Sequence, residues 1–176
     1  MQSVVIAYAL TMAMLIPASG WLADRFGTRR VFVCAIAVFA TGSLLCAQSH
    51  SLAQLAASRV VQGVGGSMLL PVGRLAVLRS FPRGQFLRAI TFVTVPGLVG
   101  RLIGPTLGGW LVETASWHWI FLINLPVGIA AGLATLRYMP DARRTGGRFD
   151  LGGDLMLSFS MVAISLSLDG LSELGQ

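Results

Sequence analysis

The chain of 176 residues is 55% hydrophobic and 11% charged, with a mean hydropathy of +0.75. So few charged side chains cannot cover a water-soluble globule, which excludes an ordinary soluble domain and predicts a membrane protein. A net charge of +6 would suggest nucleic acid in a soluble protein, but here the arginines fall in short segments between apolar runs. We therefore interpret the charge as a sign of membrane topology and expect no nucleic-acid partner.

Six apolar runs follow one another along the chain, and most approach the ~20 residues that a helix needs to cross the hydrocarbon core. They are rich in Leu, Ala, Gly and Met, and they lack the period-two alternation of strands. The predicted spans are 3–22, 31–47, 52–76, 89–112, 117–139 and 151–168. The predicted fold class is therefore all-α, a polytopic transmembrane helix bundle of about six spans.

Arginines cluster in every second connection between these spans. They follow the first, third and fifth spans: Arg25, Arg29, Arg30, Arg79, Arg83, Arg88, Arg137, Arg143, Arg144 and Arg148. The connections near His50 and His118 contain no lysine or arginine. The positive-inside rule places the basic connections in the cytoplasm. We expect a multi-pass protein of the cell membrane, the inner membrane of a bacterium.

The first connection has the sequence GWLADRFGTRR, from Gly20 to Arg30. The plain interpretation is a cytoplasmic turn with basic anchors. The order of its residues also indicates specific contacts. Gly20 permits close helix contact, and Gly27 makes a tight connection. Asp24 can interact with the positive amino end of the next helix. Arg29 and Arg30 remain for the lipid surface or for a neighbouring carboxylate.

The third span contains an arginine within the sequence LAASRVVQGVGGS. Arg59, Gln62, Gly63 and Gly66 are spaced to share one stripe of a helix. A membrane-embedded arginine costs about 2.5 to 3.5 kcal/mol on insertion scales and usually faces a bundle interior or an aqueous cavity. The alternative is that Arg59 lies near the outer interface and extends its charge to the headgroups.

The fourth span contains the sequence GLVGRLIGPTLGGW. Its small residues recur at four-residue steps, with one further glycine: Gly100, Gly104, Gly108 and Gly109. Such spacing makes a groove that another helix can approach closely, and Pro105 creates a bend. Arg101 lies among these glycines, where it either lines a cavity that attracts an anionic substrate or is a damaged position.

The remaining residues give no sign of catalysis. Cys34 and Cys46 lie roughly 18 Å apart along one predicted helix, too far for a disulfide within it. We find no metal-ligand spacing, no nucleophile with a base and no phosphate-binding loop. The sequence therefore predicts no metal, no cofactor and no enzymatic activity.

The three segments together resemble signatures of the major facilitator superfamily. The first resembles the loop between the family's second and third helices, although Thr28 stands where a basic residue is usual. The second is similar to the family's Leu-x-x-x-Arg-x-x-Gln-Gly-x-Gly pattern, and the third to a motif of its antiporter branch. The segments SWHWIFLINLPVGI and RFDLGGDLMLSF further resemble drug:proton antiporters with fourteen transmembrane helices.

The resemblance implies a role for each segment. It implies a cytoplasmic gating latch at Gly20, Asp24, Arg25, Gly27, Arg29 and Arg30. It implies that Arg59 takes part in proton coupling by modulating a carboxylate, since arginine itself stays charged. It implies a bend and a tight helix contact that limit leakage at Gly100, Gly104, Pro105, Gly108 and Gly109.

The resemblance covers the second to seventh helices of the family, so we expect an incomplete chain. Residues 1–139 would be five helices of an N-terminal half-bundle, 140–150 a cytoplasmic linker, and 151–176 an additional helix with the end of the chain. The implied function is proton-coupled efflux of small amphipathic compounds by alternating access. The alternative is a non-transporting membrane fragment, inert or bound to partner helices. Expected partners are a small-molecule substrate, protons, the lipid bilayer and the absent transporter segments.

Overall fold

The computed structural model describes residues 2–114, 116–141 and 151–174. They form seven helices: α1 (Gln2–Phe26), α2 (Thr28–Ala47), α3 (Leu52–Ser80), α4 (Phe86–Thr114), α5 (Trp119–Leu122), α6 (Asn124–Tyr138) and α7 (Leu151–Leu174). A 3-10 turn, Arg83–Gln85, precedes α4, and no strand occurs in the described ranges. The predicted all-α class is confirmed. Residues 142–150 of the predicted linker lie outside the described residues.

Five segments of the described chain are long and apolar enough to cross a membrane: Ile6–Phe26, Thr28–Ala47, Leu52–Ser80, Leu87–Thr114 and Trp119–Tyr138. They coincide with the first five predicted spans, and α7 covers the sixth. The fifth span is divided into α5 and α6 at Ile123. Pro126 explains the division, because a proline has no N–H to donate to the carbonyl of Leu122 one turn earlier.

The helix connections follow from local sequence. A single residue, Gly27, separates α1 from α2, and its φ of 97° lies in the left-handed region that favours glycine. At the start of α3, the Ser51 hydroxyl accepts a hydrogen bond from the backbone N–H of Gln54 at 3.2 Å. The Gln54 side chain in turn accepts from the backbone N–H of His50 at 3.0 Å. These paired bonds satisfy donors that a helix start leaves open.

The centre of the structure is α3, which packs against α1 on one side and α2 on the other. Glycines bring the backbones together: a Cβ added to Gly42 would lie 2.5 Å from the backbone nitrogen of Gln62. A Cβ added to Gly65 would lie 2.6 Å from the carbonyl oxygen of Ala35. Two further glycines of α3 face α1: Gly63 and Gly66. Close backbone approach is therefore built into both sides of α3.

The other helices add to this three-helix core unequally. Helix α6 packs on α2, and α7 packs along α1, where the Ser158 hydroxyl donates to the carbonyl oxygen of Met14 at 2.8 Å. Helix α4 makes only small contacts with α3 and α5, and nearly all its described side chains beyond Thr91 are exposed. The chain therefore combines a packed core with one long helix whose faces are open in the described structure.

Candidate functional site

Arg59 lies within α3, between aromatic rings from two other helices. The carbon at the centre of its guanidinium lies 5.1 Å from the ring centroid of Tyr8 in α1 and 5.1 Å from that of Phe121 in α5. Both distances are within the ~6 Å over which an aromatic face attracts a cation. The Arg59 side chain is partly buried between α1 and α5.

A chain of polar side chains continues from Arg59 across the core. Arg59 Nη1 donates to Gln62 Oε1 at 2.8 Å, and Gln62 Nε2 donates to the Ser43 hydroxyl at 2.7 Å. Asn124 Nδ2 in α6 donates to the same hydroxyl at 3.3 Å. Gln62 and Ser43 are buried, with 2% and 0% of their surfaces exposed. The network thus links α2, α3 and α6, and buried polar groups of this kind need each other as partners.

One atom of Arg59 is left out of this network. Its Nε is buried and has no hydrogen-bond partner among the residues that the structure describes. A buried donor without an acceptor costs about 1 to 3 kcal/mol, and more when it belongs to a charged group. The described residues therefore do not satisfy the whole guanidinium of Arg59, and a carboxylate is the acceptor that best matches a guanidinium.

The glycines near Arg59 make the aromatic contact possible. A Cβ added to Gly66 would lie 3.0 Å from the Tyr8 hydroxyl, and one added to Gly63 would lie 3.2 Å from the Tyr8 carbonyl oxygen. Any larger side chain there would push α1 and the Tyr8 ring away. The residues of the predicted stripe therefore contact different helices. Gln62 bonds to α2, whereas Gly63 and Gly66 allow α1 to approach closely.

An ion pair joins the ends of α1 and α3 beside the connection between α1 and α2. The carboxylate of Asp24, in the last turn of α1, pairs with the guanidinium of Arg79, in the last turn of α3. The residue at the start of α2 is Gly27, which has no side chain to cap the helix, and the expected interaction of Asp24 with that helix end stays a prediction. A full cation attracts a carboxylate more strongly than the partial charge of a helix end does. Arg79 is a site residue that the sequence analysis counted only as a topology marker.

The other residues of this connection have different neighbours. The Arg25 guanidinium carbon lies 5.6 Å from the Trp21 ring centroid. Arg30 Nε lies 3.6 Å from Asp141 Oδ2, so Arg30 has the neighbouring carboxylate that was one of its two expected partners. Arg29 is half-buried. No described atom lies within 4 Å of a Cβ added to Gly20, so its predicted helix contact stays a prediction.

The glycines of the predicted antiporter motif lie on the open helix α4. No described atom lies within 4 Å of a Cβ added at any of four positions: Gly100, Gly104, Gly108 and Gly109. Pro105 lies inside the same helix, which extends from Phe86 to Thr114. The side chain of Arg101 lies outside the described part of the structure. The close contact predicted for this stripe therefore stays a prediction.

Neither metal nor thiol chemistry is apparent in the part of the chain that the structure describes. No group of three His, Cys, Asp or Glu side chains in that part could hold a metal ion. Cys34 is exposed, Cys46 is buried, and both are free thiols. The polar contacts of Arg59 and Gln62 and the Asp24–Arg79 pair are therefore the candidate site.

Comparison with known proteins identifies the family to which this sequence is similar. The sequence profile of the Major Facilitator Superfamily matches residues 1–168. A candidate multidrug resistance protein, MdtD, of Serratia proteamaculans is 57% identical over 175 residues, which cover 99% of this chain and 37% of that relative. The corresponding Yersinia pestis (strain Pestoides F) protein is also 57% identical and is covered to 38%. The chain thus spans less than two fifths of the length of these curated relatives.

A solved structure shows the same fold. The crystal structure of a mutant peptide transporter POT in complex with alafosfalin matches with a TM-score of 0.70, at 18% sequence identity. The match covers 94% of this chain and 37% of that chain. At this identity the likeness concerns the helix arrangement alone.

Proposed function

Because this chain belongs to the major facilitator superfamily, we propose that it forms part of a secondary transporter that expels small amphipathic compounds in exchange for protons. The resemblance predicted from the sequence is confirmed at the level of the family, as is a multi-pass location in the cell membrane. Alternating access would move two bundles around a site near the middle of the membrane. The proposal assigns no catalytic chemistry to the chain.

The relatives support the efflux part of the proposal by name. Proteins called candidate multidrug resistance proteins share 57% of their residues with this chain over the matched region. They extend well beyond that region, so the substrate and the complete transport cycle belong to the proposal. The domain division at 1–139, 140–150 and 151–176 is proposed on the same basis.

The single observation that carries the proposal is the buried Nε of Arg59, which has no hydrogen-bond partner among the described residues. A carboxylate from a segment outside the described residues would accept from this atom when it is ionised. Protonation of that carboxylate would weaken the pair, since arginine keeps its charge throughout. The rings of Tyr8 and Phe121 would still hold the guanidinium after the carboxylate became neutral. Arg59 would thus sense the proton without carrying it.

We propose that the Asp24–Arg79 pair acts as the cytoplasmic latch. It joins the ends of α1 and α3 next to the one-residue connection at Gly27, so separating these ends would require breaking the pair. We also propose that the bend and the glycine stripe of α4, around Gly104 and Pro105, provide the tight contact of the antiporter motif. Their contact partner would be a helix outside the described residues.

The test uses a chimera in which the 175 matched residues of this chain replace the corresponding segment of the Serratia proteamaculans relative. Inverted membrane vesicles containing the chimera are given a proton gradient and a fluorescent cationic dye. We expect dye accumulation that requires both the gradient and the chimera. Correctly inserted chimera without dye accumulation, beside an active relative, would contradict the proposal.

The open face of α4 favours a second candidate, a membrane chain that binds partner helices without transport. A Cβ added to any of its five glycines would have no described atom within 4 Å, and close helix contact is what such small residues permit. Co-expression of this chain with the remaining segment of the relative distinguishes the two functions. Co-purification without dye movement favours the second, whereas co-purification with dye movement favours transport.

A further inference from the structure

An apolar groove of about 450 Å³ opens where α1, α2 and α3 meet. Its walls come from all three helices: Leu22, Phe26, Cys34, Val38, Val64 and Met68. Arg30 also lines the groove, yet the exposed lining is entirely apolar, so Arg30 contributes carbon atoms of its side chain. This is the arrangement of an arginine whose stem follows an apolar surface while its charge extends beyond it.

The groove lies next to the basic connection between α1 and α2. Its residues flank Gly27 on both sides, and Arg30 belongs to the first turn of α2. The Arg30 side chain is 67% exposed. The positive-inside rule places this end of the helices at the cytoplasmic surface, where the headgroups of the inner leaflet lie. The groove therefore combines hydrocarbon walls with a cation at headgroup level.

We propose that this groove binds an acyl chain of an anionic glycerophospholipid from the cytoplasmic leaflet, and that the Arg30 guanidinium binds the phosphate of the same lipid. Charge and shape both favour this occupant, because basic pockets between transmembrane helices on the cytoplasmic side suit anionic headgroups. The guanidinium fork matches phosphate oxygens, and the groove offers apolar walls to the chain. The site does not depend on the transport proposed above.

Asp141 is the carboxylate that competes for Arg30. The separation of 3.6 Å between Arg30 Nε and Asp141 Oδ2 is longer than the ~2.7 to 2.9 Å of a charge-assisted hydrogen bond. Because the Arg30 side chain is 67% exposed and the separation is long, water screens the pair, and a phosphate can replace the carboxylate at low cost. The same exchange gives a reason for anionic lipid to be preferred over zwitterionic lipid, whose own cation would repel Arg30.

Two native cysteines make the proposal testable in the full chain. Cys34 lies in the groove and is exposed, whereas Cys46 is completely buried. The chain is placed in nanodiscs of phosphatidylcholine, with or without phosphatidylglycerol, and treated briefly with N-ethylmaleimide. Mass spectrometry then measures the modification of each thiol. We expect phosphatidylglycerol to slow modification of Cys34 several-fold and to leave Cys46 unmodified.

The variants separate binding at Arg30 from a general effect of surface charge. Arg30→Gln should remove the protection of Cys34, while Arg137→Gln, which loses the same charge from an exposed position on α6, should keep it. Arg30→Lys, which keeps the charge but lacks the forked guanidinium, should retain part of the protection of Cys34. Reaction of Cys46 in Arg30→Gln would show that this variant unfolds. In that case the protection of Cys34 in Arg30→Lys, compared with that in the native chain, tests the proposal.

Two results would overturn the proposal. Equal slowing in Arg30→Gln and in the native chain would show a surface-charge effect on the reagent alone. Equal protection of Cys34 with and without phosphatidylglycerol would show that the groove is closed by another helix or a second copy of the chain. In either case the anionic lipid would not be the occupant.

Discussion

The contact between α2 and α3 and the open face of α4 use the same small residue with opposite results. Gly42 and Gly65 allow two backbones to meet so closely that a Cβ at either would collide with the neighbouring helix. Gly104 and Gly108 have the same small size, but a Cβ added at either would have no described atom within 4 Å. A helix face made of glycines thus shows that another helix can pack closely against it. It does not show which helix does so.

The difference assigns separate tasks to the two regions. The α1–α2–α3 core holds its own contacts and positions Arg59, so its glycines serve the stability of this chain. The face of α4 would serve contacts with segments outside the described residues, in a protein whose curated relatives are covered to only 37% and 38%. Substitutions in the two regions should therefore affect different measurements.

The largest effect is expected for Gly65→Leu in the chain itself. Its added atoms would collide with the backbone of α2, and overpacking that cannot relax costs about 3 kcal/mol or more. Thermal unfolding in detergent, followed by circular dichroism and aggregation, should show a strongly lowered midpoint. Gly104→Leu is the matched control and should unfold like the native chain. Equal midpoints for Gly65→Leu and the native chain would contradict the close contact.

Gly104→Leu should have its effect in the chimera with the full-length relative. A leucine on that face would force an approaching helix away, and we expect dye efflux to fall several-fold with insertion unchanged. Exchange of Leu107, an exposed neighbour on α4, for Ile provides a control that keeps the volume. Native efflux by Gly104→Leu would mean that this stripe faces lipid.

A smaller effect is expected when the Tyr8 ring is removed. A cation over an aromatic face gains about 0.5 to 1 kcal/mol at a partly exposed site, so Tyr8→Leu should reduce proton-driven efflux by the chimera about two- to fivefold. Tyr8→Phe keeps the ring and should retain most of the activity. Similar losses in both variants would indicate that the hydroxyl, and not the ring, is required.

The smallest effect is expected for Asp24→Asn. Asp24 is 36% exposed, so water screens its pair with Arg79 and the loss of stability should stay below about 1 kcal/mol. Its influence should show instead in the balance of conformations, as a higher reactivity of a cysteine introduced near the cytoplasmic ends. Added salt should produce a similar change in the native chain. An unchanged reactivity would argue against a latch at this pair.

The sequence was sufficient to predict the spans, because the length and hydropathy of a helix in a bilayer are local properties. The division of the fifth span at Ile123 depends on Pro126, a signal present in the sequence that the apolar pattern concealed. Arg59 was identifiable in the same way, since an arginine in an apolar span is costly wherever it lies.

The partners of these residues could not be predicted, because they come from distant segments. Asp24 and Arg79 are 55 positions apart, and Asn124 meets Ser43 from 81 positions away. Polar residues in apolar spans, such as Ser43 and Asn124, were the available signal, but their sequence positions do not say which of them meet. The spacing of glycines likewise drew attention to α4, while Gly65 makes the closest contact.

Proton coupling through Arg59 is tested most directly by comparing two transport modes of the chimera in proteoliposomes. Arg59→Gln should lose dye accumulation driven by a proton gradient but keep the exchange of labelled for unlabelled dye without a gradient. Exchange needs the substrate site and the conformational change, whereas accumulation also needs a proton-sensitive partner for Arg59. Native accumulation by Arg59→Gln would contradict the coupling role, and loss of both modes would assign Arg59 to structure.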